Sequence, residues 1–311
     1  MELVIGVDAG GTSTRCLVAD TDGTPLGTGA AAGLNQHSSG GDPVAQLAHA
    51  VAGALDGHDP ADVVAGALGV AGAGAAGVDV VRAHAADAWR RVGIAGEPQV
   101  VTDLLTAFAA GSPAATGTVL VAGTGAGAAA IVDRHVARQA DGAGWLLGDV
   151  GSAVWLAREA LVAVVAALDG RGPTTALTEP LLGRLLGRPA PYDVQDVIAR
   201  AYAVPPAALG TLAPVVTDLA AADPVAGEIV ARGVAGLLAS LDAVRADGPV
   251  VLAGALLTHD GPVRDGVVAG LAERVLGAPS SAQHPAAGAA WLALVSRGVT
   301  DERVHTTLCA H

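Results

Sequence analysis

Three carboxylates stand beside glycine-rich turns in this chain, and their placing suits phosphoryl transfer. Asp8 closes the apolar run LVIGVD and opens the turn Asp8-Ala9-Gly10-Gly11-Thr12-Ser13-Thr14. Asp103 closes PQVVTD (98–103) just before a helical pattern, and Asp149 lies within GAGWLLGDVGS (142–152). In the first turn, residues without side chains let backbone N–H groups approach phosphate oxygens, while Thr12 and Thr14 add hydroxyl donors. A second turn, Gly123-Thr124-Gly125-Ala126-Gly127, follows the strand-like VLVA (119–122). Either turn alone reads as a plain hairpin. Two of them, each after a β-branched strand, point to one shared ligand.

The surroundings of each acid suggest its task. A carboxylate on a rigid strand end can accept the proton of a substrate hydroxyl, and an ordinary or slightly raised pKa suffices for that. Asp103 fits this role, and it fits equally the N-cap of a helix over 104–110. Beside a phosphate loop, Asp8 would hold Mg2+ through water, since hard cations take oxygen ligands. Asp149 suits a sugar hydroxyl, a metal, or the cap of a helix starting near Gly151. In PVVLAGAL (249–256) an apolar strand runs into small residues, where a flat base can lie against bare backbone. His37, His259 and His284 have no spacing that suggests a metal site or a triad.

These residues need strands to carry them. Residues 3–8, 14–20 and 25–31 read as a β-meander with an Asp-Gly turn signal at 20–23. A helix at 42–56, a strand at 63–70, a helix at 77–92 and a strand at 98–103 follow. From 118 the order repeats: strands at 118–122 and 127–133 around the glycine turn, RQADG (138–142) closing the sheet edge, and a helix over 151–168. Further helices are predicted at 192–203, 206–221 and 224–246, a strand at 249–256, and a last helix at 285–297. Segment 170–190 mixes Gly, Pro and Thr with short apolar patches and reads as an insertion or flexible cap.

Composition removes several classes of function. The 311 residues exceed one ordinary core and suit two domains. Hydrophobic residues make up 51%, yet glycine, proline or charge interrupts each apolar stretch before the roughly 20 residues that span a bilayer. No membrane is expected, and MELVIGVD lacks the features of a secretion signal, so a cytoplasmic protein is expected. A net charge of −13 would repel a polyphosphate backbone, which argues against nucleic acid as a partner. All 17 basic residues are arginine. Without lysine there is neither a P-loop nor Schiff-base chemistry. Cys16 and Cys309 lie at opposite ends with no partner at metal or redox spacing.

The order DAGGTSTR, ALGVAGAG (67–74), VTDLLTAF (101–108), VLVAGTGAG, GAGWLLGDVGSAVWLA and VVLAGAL resembles the N-acetylglucosamine kinase and BadF/BadG/BcrA/BcrD ATPase branch of the sugar kinase, Hsp70 and actin superfamily. The likeness is strong over 1–160 and looser over 225–295, and GWLLGDxGS is its most specific piece. It implies an α/β fold of two ribonuclease-H-like, actin-like ATPase lobes with an interdomain cleft. An N-terminal lobe over 1–112 and a C-terminal lobe over 113–311 are expected, the last helix packing back on the first lobe. ATP and Mg2+ would occupy the cleft. By position, the resemblance implies Asp8 at the magnesium, Gly10, Gly11, Thr12, Ser13 and Thr14 in the first phosphate loop, and Thr124 and Gly125 in the second. Gly254 and Ala255 match the adenosine site, Asp103 the general base, and Asn35, Asp103, Gly144, Trp145 and Asp149 the sugar contacts.

That reading is an ATP-dependent kinase acting on the C6 hydroxyl of N-acetylglucosamine or a related amino sugar, with a homodimer expected because related kinases are often dimers. Two departures stand out: Gly127 and Val150 replace an asparagine and a glutamate that the family's kinases often carry. N-acetylmuramic acid, glucosamine or a cyclitol are therefore alternative substrates. The alternative from another class is a BadF-type ATPase that activates a 2-hydroxyacyl-CoA dehydratase, which needs cysteines for an iron–sulfur cluster. A noncatalytic sugar sensor is a third reading. The sugar kinases of the ROK group are neighbours, but their cysteine-rich zinc loop is absent here.

Overall fold

The computed structural model describes residues 1–10, 13–33, 42–70, 78–274 and 276–310. Asn35, Gly11 and Thr12, all proposed from the sequence as ligand contacts, lie outside the described residues.

Two five-stranded sheets carry one topology twice. In the first, β1 (Leu3–Ala9), β2 (Ser13–Asp20) and β3 (Pro25–Ala32) form an antiparallel meander; β4 (Val63–Val70) and β5 (Gln99–Thr102) then add in parallel beside β1. In the second, β6 (Gly117–Ala122), β7 (Ala126–Val132) and β8 (His135–Asp141) make the meander, and β9 (Val250–Ala253) and β10 (Ser280–Ala282) add in parallel beside β6. Parallel neighbours need crossovers, which α1 (Pro43–Ala54) and α2 (Val78–Val92) supply in the first half. Asp42 caps α1 by accepting from the Val44 N–H at 3.0 Å.

Alternation along the strands sorts the core into layers. Leu3, Ile5 and Val7 pack with Leu47 and Trp89 on the outer face of the first sheet, whereas Val4 faces the centre of the molecule. In the second sheet Val119 and Val251 face that same centre, while Leu120 and Leu252 face an outer helical layer. Both faces of each sheet are thus covered, which explains strands that read as continuous apolar runs.

The centre holds two helices that exchange places. Helix α3 (Asp103–Gly111) follows β5 of the first sheet but packs mainly on β6, β9 and β10 of the second. Helix α12 (Pro285–Ser296) follows β10 of the second sheet but packs on β1 and β4 of the first. Where the helices cross, a Cβ on Gly288 would lie 2.0 Å from the Thr106 carbonyl oxygen, and where β1 meets α12 one on Gly6 would lie 2.0 Å from that of Ala286. Only hydrogen fits at either point, so this packing is closer than side chains allow.

The second half carries the larger elaboration, between β8 and β9. Helices α4 (Ala153–Leu168), α5 (Thr178–Leu186), α6 (Val194–Ala203), α7 (Pro206–Leu209), α8 (Ala213–Leu219) and α9 (Pro224–Val244) fill it. Helix α5 falls where a flexible cap was expected. Leu177, Leu181, Leu182 and Leu185 supply its buried face, and Gly187 at φ 67° ends it. The expected 206–221 helix is broken by a short 3-10 turn at Gly210–Leu212. Short helix α10 (Ala255–Thr258), α11 (Pro262–Glu273) and a terminal α13 (Glu302–Cys309) complete the chain; α10, which begins inside the expected 249–256 strand, was not anticipated, nor were α11, β10 and α13. Of the described helices, Pro224–Val244 alone is long and apolar enough to cross a bilayer. Its face of Ile229, Val230, Leu237 and Leu241 packs into the outer core of the second sheet, and Glu228, Arg232 and Asp242 are exposed.

Candidate active site

Asp8 and Asp103 come together at the carboxyl ends of β1 and β5, with β4 between them. Ligand crevices form at such strand ends because the loops there diverge while the strands stay rigid. Each carboxyl is partly buried, and each is pushed up to about 6. For Asp8, burial is the main cause, the negative charge of Asp103 adds to it, and Arg15 opposes. Arg15 sits directly across the antiparallel pair from Asp8. For Asp103, burial again dominates, and the backbone N–H of Leu104 opposes it by donating at 3.0 Å. The N-cap of α3 is Thr102, whose hydroxyl accepts from the Leu105 N–H at 3.4 Å. The capping role open to Asp103 in the sequence therefore belongs to its neighbour, which leaves one carboxylate oxygen unassigned to the helix.

The first turn is tied by the Gly10 N–H donating to the Ser13 carbonyl at 2.9 Å. Thr14 corrects its sequence assignment. Its side chain is fully buried and its hydroxyl donates to the Ala32 carbonyl on β3 at 2.9 Å, so it braces the sheet and offers nothing to a phosphate. Period-2 alternation explains the outcome: Thr14 takes an inward position between Ser13 and the exposed Arg15.

The second turn is built differently. The Gly123 N–H donates to the Gly125 carbonyl at 2.9 Å, the Gly123 carbonyl accepts the Ala153 N–H at 2.8 Å, and Thr124 is exposed. The turn is therefore fastened to the first residue of α4, whose N-cap is Ser152. Gly254, at φ 83°, lies behind it: a Cβ there would come 2.5 Å from the Ala122 carbonyl oxygen and 2.8 Å from the Gly123 nitrogen. Ala255 follows, exposed at the start of α10.

Asp149 joins this second cluster. A Cβ on Gly125 would lie 3.0 Å from its carboxylate, so the acid lies against the turn itself. Burial pushes its pKa up, the charge of Asp141 adds, and backbone N–H groups of Ala126 and Gly144 oppose. Its backbone sits at φ 56°, an unusual conformation for a residue with a side chain. Asp141 holds it there, accepting from the N–H groups of Asp149 at 2.6 Å and Val150 at 2.9 Å. Sequence reasoning missed Asp141, reading RQADG only as a sheet edge; the Asp-Gly pair before a glycine loop was the available signal. Gly144 and Trp145 lie exposed on the same loop, Trp145 at 43%.

The two departures from the family pattern find local reasons. Val150 packs on α9, its Cγ1 only 2.3 Å from where a Cβ of Gly236 would stand, and it belongs with the outer apolar core. A Cβ on Gly127 would come 3.1 Å from the Gly142 nitrogen, so a side chain there would press on the start of the Asp149 loop.

Duplicated sheets of this topology, with exchanged helices and glycine turns at equivalent strand ends, define the actin-like ATPase class of two ribonuclease-H-like lobes. The chain belongs to the BadF/BadG/BcrA/BcrD ATPase family, whose sequence pattern matches residues 5–293. It is 28% identical over 196 residues to N-acetyl-D-glucosamine kinase of Dictyostelium discoideum; the matched segment spans 59% of this chain and 60% of that relative's length. A candidate N-acetylglucosamine kinase from Chromobacterium violaceum shares 27% identity and superposes with a TM-score of 0.72, covering 94% of this chain and 99% of that one. Another from Porphyromonas gingivalis, at 21% identity, shares the fold with a TM-score of 0.73 over 96% of this chain and all of its own.

Proposed function

We propose that the protein is an ATP-dependent sugar kinase that phosphorylates the C6 hydroxyl of N-acetylglucosamine or a closely related amino sugar. The observation that carries this reading is the pair of desolvated carboxylates, Asp8 and Asp103, on one sheet, complemented by a glycine turn backed by Gly254 on the other. The names of the relatives at 28% and 27% identity support the substrate class. In this reading the lobes divide at 1–112 and 113–311, with substrates between them in a cytoplasmic, homodimeric enzyme.

Asp103 takes the proton as the sugar oxygen attacks the γ-phosphorus and the bond from that phosphorus to the bridging oxygen of ADP breaks. Desolvation raises its basicity toward the operating pH, which improves proton transfer without abolishing ionisation at neutrality. The Gly10 turn and the Thr124–Gly125 turn present backbone N–H groups to the phosphates. Gly254 and Ala255 leave a side-chain-poor surface for the adenine. Gly144, Trp145 and Asp149 would contact the sugar, and Asn35 keeps that role only by the family resemblance. Asp149, whose carboxylate lies against Gly125, would serve the phosphate end as well as the sugar.

A divalent cation fits the residues present. The charge of Asp103 adds to burial in raising the proton affinity of Asp8, and a cation beside Asp8 would relieve both effects. Among the described residues no cluster of three ligating side chains occurs, which suits Mg2+, a cation that keeps several waters and takes one or two carboxylates plus phosphate oxygens. Asp8 would hold it, and when bound it neutralises charge on the transferred group.

The deciding experiment is coupled ADP release across N-acetylglucosamine, glucosamine, glucose, N-acetylmannosamine and N-acetylmuramic acid. Turnover selective for an amino sugar and lost in Asp103→Asn supports the proposal; ADP release indifferent to every sugar overturns it.

A further inference from the structure

A groove of about 480 Å3 opens along the outer edge of β5 and reaches Thr102 at its end. Its walls come from both halves: Arg82 of α2 and Glu97 to Thr102 from the first, Arg134, His135 and Val136 of the β7–β8 hairpin from the second. Two arginines and one glutamate line it, which gathers guanidinium donors in one place on a chain of net charge −13.

Arg134 is the unusual member. Its guanidinium is partly buried, and burial lowers its pKa. It forms none of the ion pairs found among the described residues. One nitrogen, Nη1, donates to the carbonyls of Pro113 and Ala114 at 3.1 Å each, which fixes the fork in place. Its Nε and Nη2 donors have no partner among the described residues. A half-buried guanidinium, held in place by two backbone carbonyls and outside any ion pair, offers its remaining N–H donors to an anion that enters the groove. Across the groove, Arg82 is bound only to the exposed Asp79 at 3.2 Å, a surface pair of little strength that a better anion can displace. The outward N–H groups of the edge strand β5 add neutral donors.

We propose that this groove is a second anion site, distinct from the strand-end site, which takes a phosphate monoester of sugar-phosphate size. The volume favours an ester over free phosphate, since pockets for small ligands begin at about 300 Å3. The inference does not rest on the kinase reading, which can fail while this one stands.

The test is calorimetric titration of the whole protein with glucose 6-phosphate, inorganic phosphate and glucose, with AMPPNP and Mg2+ saturating the nucleotide site. Glucose 6-phosphate should bind with one-to-one stoichiometry and inorganic phosphate more weakly, while any binding of glucose should be the same in Arg82→Ala as in the unaltered protein. Arg82→Ala should weaken the ester about tenfold and Arg134→Ala at least as much, whereas Asp103→Asn should leave its affinity unchanged. Because Arg134 also holds Pro113 and Ala114, its variant is accepted only with an unchanged melting temperature; otherwise Arg82→Ala decides alone. Inorganic phosphate binding as tightly as the ester would assign the groove to free phosphate and overturn the ester assignment. No binding, or binding indifferent to Arg82, overturns the site altogether.

Discussion

The end of β1 and the end of β6 are the same place in two copies of one topology, yet they hold different chemistry. At the first, Asp8 precedes the turn, Arg15 faces it across the pair, and Asp103 arrives from β5. At the second, Val121 stands where Asp8 would, and the acid nearby, Asp149, comes instead from the loop that follows β8. The first turn is an acid site with a glycine corner; the second is a backbone site fastened to α4 and floored by Gly254. The two sheets offer equivalent scaffolds with divergent loops, and under the proposed function this divides the labour: proton and cation belong to the first side, adenine to the second, with phosphate held between both turns.

The exchange of α3 and α12 sharpens that contrast. Each helix springs from one sheet and packs on the other, so Asp103 sits at a strand end of the first sheet while its helix is seated on the second. The residue proposed as base therefore stands where the two halves are joined. The close crossing at Gly288 makes this join stiff.

The largest expected effect tests the division directly. Asp103→Asn should lower kcat by about 100- to 10,000-fold with little change in ATP affinity, as removal of a general base does. A loss confined to ATP binding would place Asp103 with the phosphates and erase the contrast. The same carboxyl sets the pH profile: pushed up to about 6 by burial, it must be ionised to accept a proton, so log kcat should fall as pH drops below about 6. An unchanged rate from pH 7.5 to 5 would remove Asp103 from the reaction.

On the other sheet, Gly254→Ala should raise the KM for ATP by about tenfold while sparing the sugar KM. Its φ of 83° and a contact of 2.5 Å to the Ala122 carbonyl oxygen leave no room for a methyl group. Equal changes in both KM values would show that the halves are not separable.

Stability should move the opposite way from activity at Asp103. A carboxyl whose folded pKa exceeds its unfolded value of 3.8 keeps its proton longer in the native state, so native stability falls as pH rises from about 4 to 6 and the penalty is complete above that. Asp103→Asn removes the penalty. Thermal unfolding at pH 8 should show a gain of up to about 3 kcal/mol that shrinks toward zero at pH 4.

Much of this division was legible before any coordinates. β-Branched runs ending in Asp8 and Asp103, each beside glycine or a helical pattern, fixed both strand ends, because strand periodicity and turn chemistry are local signals. The meander after each glycine turn was equally visible. What escaped notice depended on distant partners. Helix α5 hides in a Gly- and Pro-rich segment because its leucines find a core supplied by other helices. Strand β10 is three residues long and exists only as the partner of β9. Asp141 binds amides eight and nine residues onward, and no local pattern announces such a contact.

Thr14 is the subtlest case, and it yields the smallest effect. Threonine in a glycine turn reads as a hydroxyl offered to phosphate, and Thr14 and Thr124 look alike on paper. The structure separates them: Thr14 is buried and spends its hydroxyl on Ala32, whereas Thr124 is exposed at the second turn. Thr14→Val keeps the shape and deletes one hydrogen bond, so it should cost about 1 kcal/mol of stability and leave kcat/KM for ATP within about twofold. Thr124→Val should do the reverse, leaving the melting temperature alone and weakening kcat/KM for ATP several-fold. If Thr14→Val instead slowed turnover at unchanged stability, its hydroxyl would have to leave Ala32 when nucleotide binds, and the two turns would then be chemical equals after all.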